Sequence, residues 1–312
     1  MKRKIKFMGC SLLFIFILLL ISNFNITATD KQTVLEEEDT DLKVEKAINF
    51  KQIELTGLRE RWKRDIVYKE VDGEDLTLDL FLPEREDFQN TPVILYIHGG
   101  GFIRGDKSEI FELSSLFQAW LQEGWAVASV NYRLLYGDTM FPDNVEDVAS
   151  ALKWLEKNGP KFNLNIEQIG LVGHSAGGNL ALLTGLSKEN SVQFIVSMAG
   201  PTKLYGSEDF ELRKKLMEII NQNDFDNKIL QKASPIDLLD ESGPPILLVH
   251  GTDDNFVPYE QSRIFHEKAL ELGADCRLLT IEGGGHVLAF SYLPRMHVLK
   301  DDIMNFMKTN IQ

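Results

Sequence analysis

From residue 93 onward the chain alternates short, mostly apolar, β-branched runs with stretches whose apolar residues recur at helical spacing. Few architectures satisfy that alternation. The strand-like runs are 93–97, 125–130, 169–172, 194–198, 246–249 and 276–281; the helical stretches are 109–122, 145–157, 178–186, 260–272 and 298–309. Continuous apolar runs mean strands buried on both faces, and strands separated by helices return parallel to one another. The pattern predicts an α/β domain with a mostly parallel central sheet covered by helices on both faces. Ahead of it, residues 65–70 and 76–82 alternate about the turn Asp72-Gly73-Glu74-Asp75, which reads as a hairpin. No internal repeat is visible.

Residues 201–240 break the rhythm with a polar, helical insertion after a strand end, whose apolar content is Leu204, Phe210, Leu216, Ile219 and Ile220. In an open α/β sheet the ligand crevice lies at such strand ends, so the insertion is expected to form a small lid.

With 312 residues, 44% of them apolar, the chain can bury a large core. Folding at this size removes roughly 75% of the extended surface from water, so neither metal nor disulfides are needed to hold it together. Only two cysteines occur, Cys10 and Cys276, and Cys10 lies in an apolar N-terminal run, which leaves no internal disulfide in the folded body. The formal charge is −14, and no Lys or Arg cluster outside the N-terminus provides a dense basic face. Nucleic-acid binding needs a dense basic face, so it is excluded.

Lys2, Arg3, Lys4 and Lys6 precede an uncharged run over 7–21, the pattern of a secretion signal, with Ala28 as a cleavage residue. A spanning helix needs about 20 apolar residues, a length reached here only by counting residues 22–26, which keeps an uncleaved anchor open. Residues 1–29 are therefore expected to be a signal peptide or membrane anchor, placing the protein outside the cell or on its surface with no other membrane contact. Residues 30–61, with Glu36, Glu37, Glu38, Asp39 and Asp41 in one cluster, read as an acidic spacer before a catalytic domain over 62–312.

Gly173-His174-Ser175-Ala176-Gly177 stands between a buried strand and a helix. A serine there occupies a sharp turn, and small neighbours are required because the strand and helix backbones nearly touch. The helix behind Ser175 directs N–H groups toward a developing oxyanion. His98-Gly99-Gly100-Gly101-Phe102 ends the strand at 93–97. Its bare backbone lets the N–H groups of Gly100 and Gly101 join that of Ala176 as an oxyanion hole. His98 itself reads as a structural anchor of the loop.

A serine nucleophile needs a base, and the base an orienting acid. His250-Gly251-Thr252-Asp253-Asp254 and Gly283-Gly284-Gly285-His286 both follow strands. The order Ser175, Asp254, His286 matches nucleophile, acid, histidine. Asp253 is the alternative acid; His174, His266 and His297 are poorer bases because they fall in the elbow or in helices. Phe102 and Phe256 border these loops and are expected to shape a short acyl pocket. Arg133 and Asp147 read as an exposed structural ion pair, worth ~0 to 1 kcal/mol.

At these residues the chain resembles the α/β-hydrolase family, specifically its esterase branch with H-G-G-G, G-x-S-A-G-G and H-G-x-x-D-x-x-V-P, the hormone-sensitive-lipase-like and feruloyl-esterase-like groups. Residues 101–107, Asn131-Tyr132-Arg133-Leu134 and the stretch from Phe141-Pro142 to Trp154-Leu155 are similar too, so the likeness covers about 65–309. It departs at Leu135-Tyr136-Gly137, where the hormone-sensitive-lipase-like pattern has Ala-Pro-Glu. The resemblance implies an α/β-hydrolase fold, the triad Ser175, Asp254 and His286, and an oxyanion hole of Gly100, Gly101 and Ala176. It implies a serine carboxylesterase acting on short-chain acyl esters through an acyl-enzyme, with small-molecule esters, among them acetyl or feruloyl esters of sugars, as substrates. No metal or organic cofactor is implied. The alternatives are a lipase on longer chains and a catalytically inactive surface binding module.

Overall fold

The expected strands assemble around β3 (Thr91–Ile97), which has β4 (Ala126–Val130) on one side and β5 (Leu164–His174) on the other, both parallel to it. The computed structural model describes residues 61–83, 90–136, 139–206, 227–286 and 296–311. The expected export segment, nearly all of the acidic spacer, and Phe210, Leu216, Ile219 and Ile220 of the insertion lie outside the described residues. Among the described residues, eight strands form one sheet in the order β1-β2-β4-β3-β5-β6-β7-β8. β1 (Trp62–Val71) and β2 (Glu74–Phe81) make the antiparallel hairpin, and β2 joins β4 antiparallel. β6 (Phe194–Met198), β7 (Ile246–Gly251) and β8 (Cys276–Ile281) extend the parallel part.

Alternate side chains of each buried strand reach opposite faces, and each face has its own helices. On one face α2 (Phe141–Asn158), α3 (Ala176–Gly185) and α5 (Glu260–Glu271) bring Val148, Leu152, Leu180 and Phe265 into a core with Val93, Leu95, Ile97 and Leu248. On the other face α1 (Ser114–Gln122) and α6 (Met296–Thr309) supply aromatic packing: Phe117 lies 5.0 Å from Phe81, and Phe306 lies 6.1 Å from Phe194.

Several boundaries differ from the sequence pattern. Residues 109–113 belong to a 3-10 turn, Lys107–Leu113, ahead of α1. Its start is pinned because the buried Lys107 ammonium donates to Asp79, Asp65 and Thr77 of the hairpin. Helix α2 starts at Phe141 rather than 145, since the Asp143 carboxylate caps the Met140 N–H at 2.7 Å and Pro142 suits a first turn. The two ends of the insertion are fastened to the sheet domain. Asn179 donates to the Pro201 and Ala233 carbonyls, and Gln261 accepts the N–H groups of Thr202 and Lys203. Its far end includes the short helix α4 (Asn227–Lys232).

The order of strands decides where chemistry can occur. The chain leaves β3 toward β4, then crosses back to β5 on the opposite side, so the loops after β3 and β5 diverge and open a crevice at the strand C-termini. Ile97 pairs with Gly173, which brings the glycine loop and Ser175 out of the sheet at the same level.

Candidate active site

Ser175 is alone between the end of β5 and the start of α3, at φ 54° and ψ −120°. Such a conformation costs an L-residue about 1–3 kcal/mol, and it survives only where neighbours enforce it. Here the Ser175 N–H donates to the Met198 carbonyl at 2.8 Å, while its own carbonyl accepts the Asn179 N–H at 3.1 Å. The helix closes tightly behind: a Cβ on Gly177 would lie 2.0 Å from the Ile97 carbonyl oxygen, so only glycine fits.

Asp254 follows β7 and His286 follows β8. Backbone hydrogen bonds stitch the two loops together, from Thr252 to Ile281 at 3.0 Å and from Asp253 to Gly284 at 2.9 Å. The His286 Nδ1 donates to Asp254 Oδ2 at 2.8 Å, and its Nε2 faces Ser175 Oγ at 2.9 Å. Asp254 Oδ1 accepts the N–H groups of Phe256 and Val257, both at 2.9 Å, which fixes the carboxylate plane. Burial by itself would raise the Asp254 pKa, but hydrogen bonds from His250 and His286, the charge of His286 and the Val257 N–H outweigh it and hold the group well below the usual carboxylate range. Asp253 is exposed and takes the Thr252 hydroxyl instead.

The glycine loop abuts the serine: a Cβ on Gly99 would lie 3.5 Å from Ser175 Cβ. Gly100 has φ 97°, and a Cβ there would overlap the Arg104 carbonyl, whose N–H donates back to Gly100. Among the described residues the N–H groups of Gly100, Gly101 and Ala176 are donated to no protein acceptor. His98 is a loop anchor, buried and stacked 4.3 Å from Tyr132, whose hydroxyl donates to the carbonyls of His98 and Gly99. Burial pushes the His98 pKa down to about 4, so the ring is neutral at pH 7.

Two expectations require correction. Phe102 is wholly buried against Phe141, 4.9 Å away, because its positive φ of 68° and the Leu135 N–H on its carbonyl turn the ring into the core. Phe256 does border the site, its ring 4.9 Å from that of His286. The Arg133–Asp147 pair is not exposed: the Asp147 side chain is fully buried and takes Arg133 Nε and Nη2 and Lys69 Nζ, each at 2.8 Å.

Residues beyond those singled out also enter the site. His174 Nε2 donates to the His286 carbonyl at 3.1 Å, joining the elbow to the histidine loop. Burial first, then the neighbouring His286, lowers its pKa to about 4. His250 contacts Asp254 at 3.1 Å. Its place at the head of H-G-x-x-D, four residues before Asp254, was the available signal.

A family model described as BD-FAE matches residues 78–269, a stretch that includes Ser175 and Asp254 and ends before His286. Esterase LipC of Mycobacterium tuberculosis is 27% identical over 72% of the chain and 59% of its own length. An acetylxylan esterase of Xylanibacter ruminicola is 25% identical over 73% of the chain and 47% of its length. The chain thus spans about half the length of these curated relatives. Among solved structures, a truncated carbohydrate esterase from gut microbiota superposes with TM-score 0.66 at 21% identity, covering 79% of this chain and 96% of that one. That likeness shows the α/β-hydrolase fold.

Proposed function

Because the chain belongs to the BD-FAE family of α/β-hydrolases, we propose that it is a serine carboxylesterase of short-chain acyl esters. The observation that carries this reading is the unbroken hydrogen-bonded series Ser175 Oγ, His286 Nε2, His286 Nδ1, Asp254 Oδ2. His286 removes the Ser175 proton as Oγ attacks the ester carbonyl. The N–H groups of Gly100, Gly101 and Ala176 receive the oxyanion. His286 then protonates the leaving alcohol, and water, deprotonated by the same imidazole, releases the acid and restores the serine. Asp254 keeps the Nδ1 proton in place and stabilises the imidazolium.

The acyl pocket is proposed to be short, with Phe256 beside His286 as one wall. Acetyl or feruloyl esters of sugars are the proposed natural substrates, supported by the likeness to the acetylxylan esterase and to the carbohydrate esterase. Export through residues 1–29 is proposed with it, from the basic start and the uncharged run over 7–21, and would bring the enzyme to such esters outside the cell.

The test is hydrolysis of p-nitrophenyl esters from acetyl to palmitoyl. Each buried CH₂ contributes about 0.8 kcal/mol only while the pocket covers it, so kcat/KM should peak at acetyl to butyryl and fall by octanoyl. A rise through the long chains with activation at a lipid interface means a lipase; no turnover means a binding module. Export is checked by fractionation: full-length protein found only in the cytosol refutes it.

A further inference from the structure

The Asp254 carboxylate touches two histidines. His250 has a fully buried side chain, and its Nε2 lies 3.1 Å from Asp254 Oδ2 and 2.9 Å from the Val257 carbonyl oxygen. Both are acceptors, so Nε2 carries the ring hydrogen. Nδ1 is then an acceptor, and the Ser262 hydroxyl, 2.7 Å away on α5, donates to it. Ser262 is itself buried, so no water competes for that bond. The tautomer of His250 is thereby determined from both ends of the ring.

Oδ2 of Asp254 consequently receives two imidazole N–H groups, from His250 and from His286, while Oδ1 receives two backbone N–H groups. All four acceptor directions of the carboxylate are used. It cannot rotate about its Cβ–Cγ bond without losing several bonds, and its negative charge is divided between the two rings. The catalytic series alone, Ser175, His286 and Asp254, would leave a buried histidine at this position without a purpose, and an apolar residue would avoid the cost of burying a polar ring.

We infer that His250, oriented by Ser262, is a positioning residue that aims the Asp254 carboxylate at His286 and limits how strongly it draws on the His286 proton. The inference rests on the esterase reading above and extends it to a second layer: the hydrogen-bonded series runs from Ser262 through His250, Asp254 and His286 to Ser175. With the His250 donor removed, the carboxylate charge falls more fully on its remaining imidazole, and the protonated form of His286 is held more tightly. A residue that merely fills space would not have that effect.

The experiment follows the His286 ring by NMR through a pH titration, in the full-length protein and in His250→Asn, His250→Gln and Ser262→Ala, with circular dichroism to verify folding. Asparagine is too short to reach Oδ2, whereas the glutamine amide nitrogen stands near the position of the imidazole Nε2. The His286 titration midpoint should move upward by about one pH unit in His250→Asn, by less in Ser262→Ala, and return close to the wild-type midpoint in His250→Gln. The acid limb of kcat/KM should move with it. An unmoved midpoint in a folded His250→Asn, or equal shifts for Asn and Gln, overturns the inference. If His250→Asn does not fold, an unmoved midpoint in Ser262→Ala overturns it equally. Turnover is read separately: shifted midpoints in a protein that hydrolyses no ester would refute the esterase reading and leave the positioning role standing.

Discussion

The imidazole of His174 donates to the backbone carbonyl of His286 at 3.1 Å, so the residue before the serine holds the residue that faces the serine. The two rings also lie 5.3 Å apart, and a Cβ on Gly99 would come 3.3 Å from His174 Nδ1. One side chain therefore touches the elbow, the glycine loop and the histidine loop. Replacing it with leucine keeps the bulk but deletes the donor, and a hydrogen bond of this kind contributes about 1 kcal/mol. His174→Leu should lower kcat several-fold with KM little changed. Steady-state kinetics check this; an equal loss in Tm and no loss in kcat would make His174 a packing residue only.

Ser175→Ala should abolish turnover, a loss on the order of 10⁶, because it removes the proposed nucleophile, and should leave folding intact, because the hydroxyl has no packing role and alanine tolerates a tight turn. A fluorophosphonate should label Ser175 and no other residue. Mass spectrometry of the labelled peptides decides it, and label elsewhere contradicts the assignment.

Asp254→Asn should reduce kcat by about 10⁴, since an amide in place of the carboxylate disfavours the Nδ1-protonated tautomer of His286. Asp253→Asn should be close to neutral, because that side chain is exposed and bonded to Thr252. Parallel kinetics on the two variants test the pair, and a reversed order would make Asp253 the acid.

Stability should depend on pH in two opposite ways. His98 and His174 have folded pKa values lowered to about 4, mainly by burial, against 6.5 when unfolded. Their contribution is complete above pH 6.5 and is lost as the pH falls toward and through 4, because the unfolded chain takes up protons first. Glu109 is the reverse. Burial, then the charges of Glu112 and Asp106, raise its pKa from 4.5 to about 7. Its contribution is complete below pH 4.5 and is lost as the pH rises through 7. Glu109→Gln should match the wild type in Tm at pH 4 and exceed it at pH 8. Thermal melts across that range provide the comparison.

Asp147→Ala should cost about 3 kcal/mol, as it removes the fully buried carboxylate that accepts from both Arg133 and Lys69 and leaves them only their weaker or more exposed partners, Asp143 and Glu146. Glu146→Gln, which disturbs only the exposed end of the Lys69 pair, should cost under about 1 kcal/mol. Urea unfolding midpoints would separate the two, and equal effects would mean the Asp147 network carries little of the fold.

Much of the architecture is legible in the chain because it is local. Phe194–Met198 and Cys276–Ile281 coincide with their apolar runs, and the hairpin and elbow are announced by Asp72-Gly73 and by small residues on both sides of Ser175. Helix starts are less legible, since α2 begins where Asp143 can reach back to Met140 and the turn before α1 begins where Lys107 finds Asp79, across the fold.

The sequence by itself determined the alternation of strand and helix, and hence the parallel sheet, and it placed the candidate nucleophile, acid and base in loops that follow strands. Those are consequences of periodicity and of steric limits on single turns, which act over a few residues. Only the tertiary structure decided which aspartate meets His286, that Phe102 turns into the core, and that His174 and His250 support the site. Ser175 and His286 are 111 positions apart, and Asp147 collects partners from β1 and from the loop after β4. Contacts of that kind depend on strand order and register, which bring together groups that no local pattern relates.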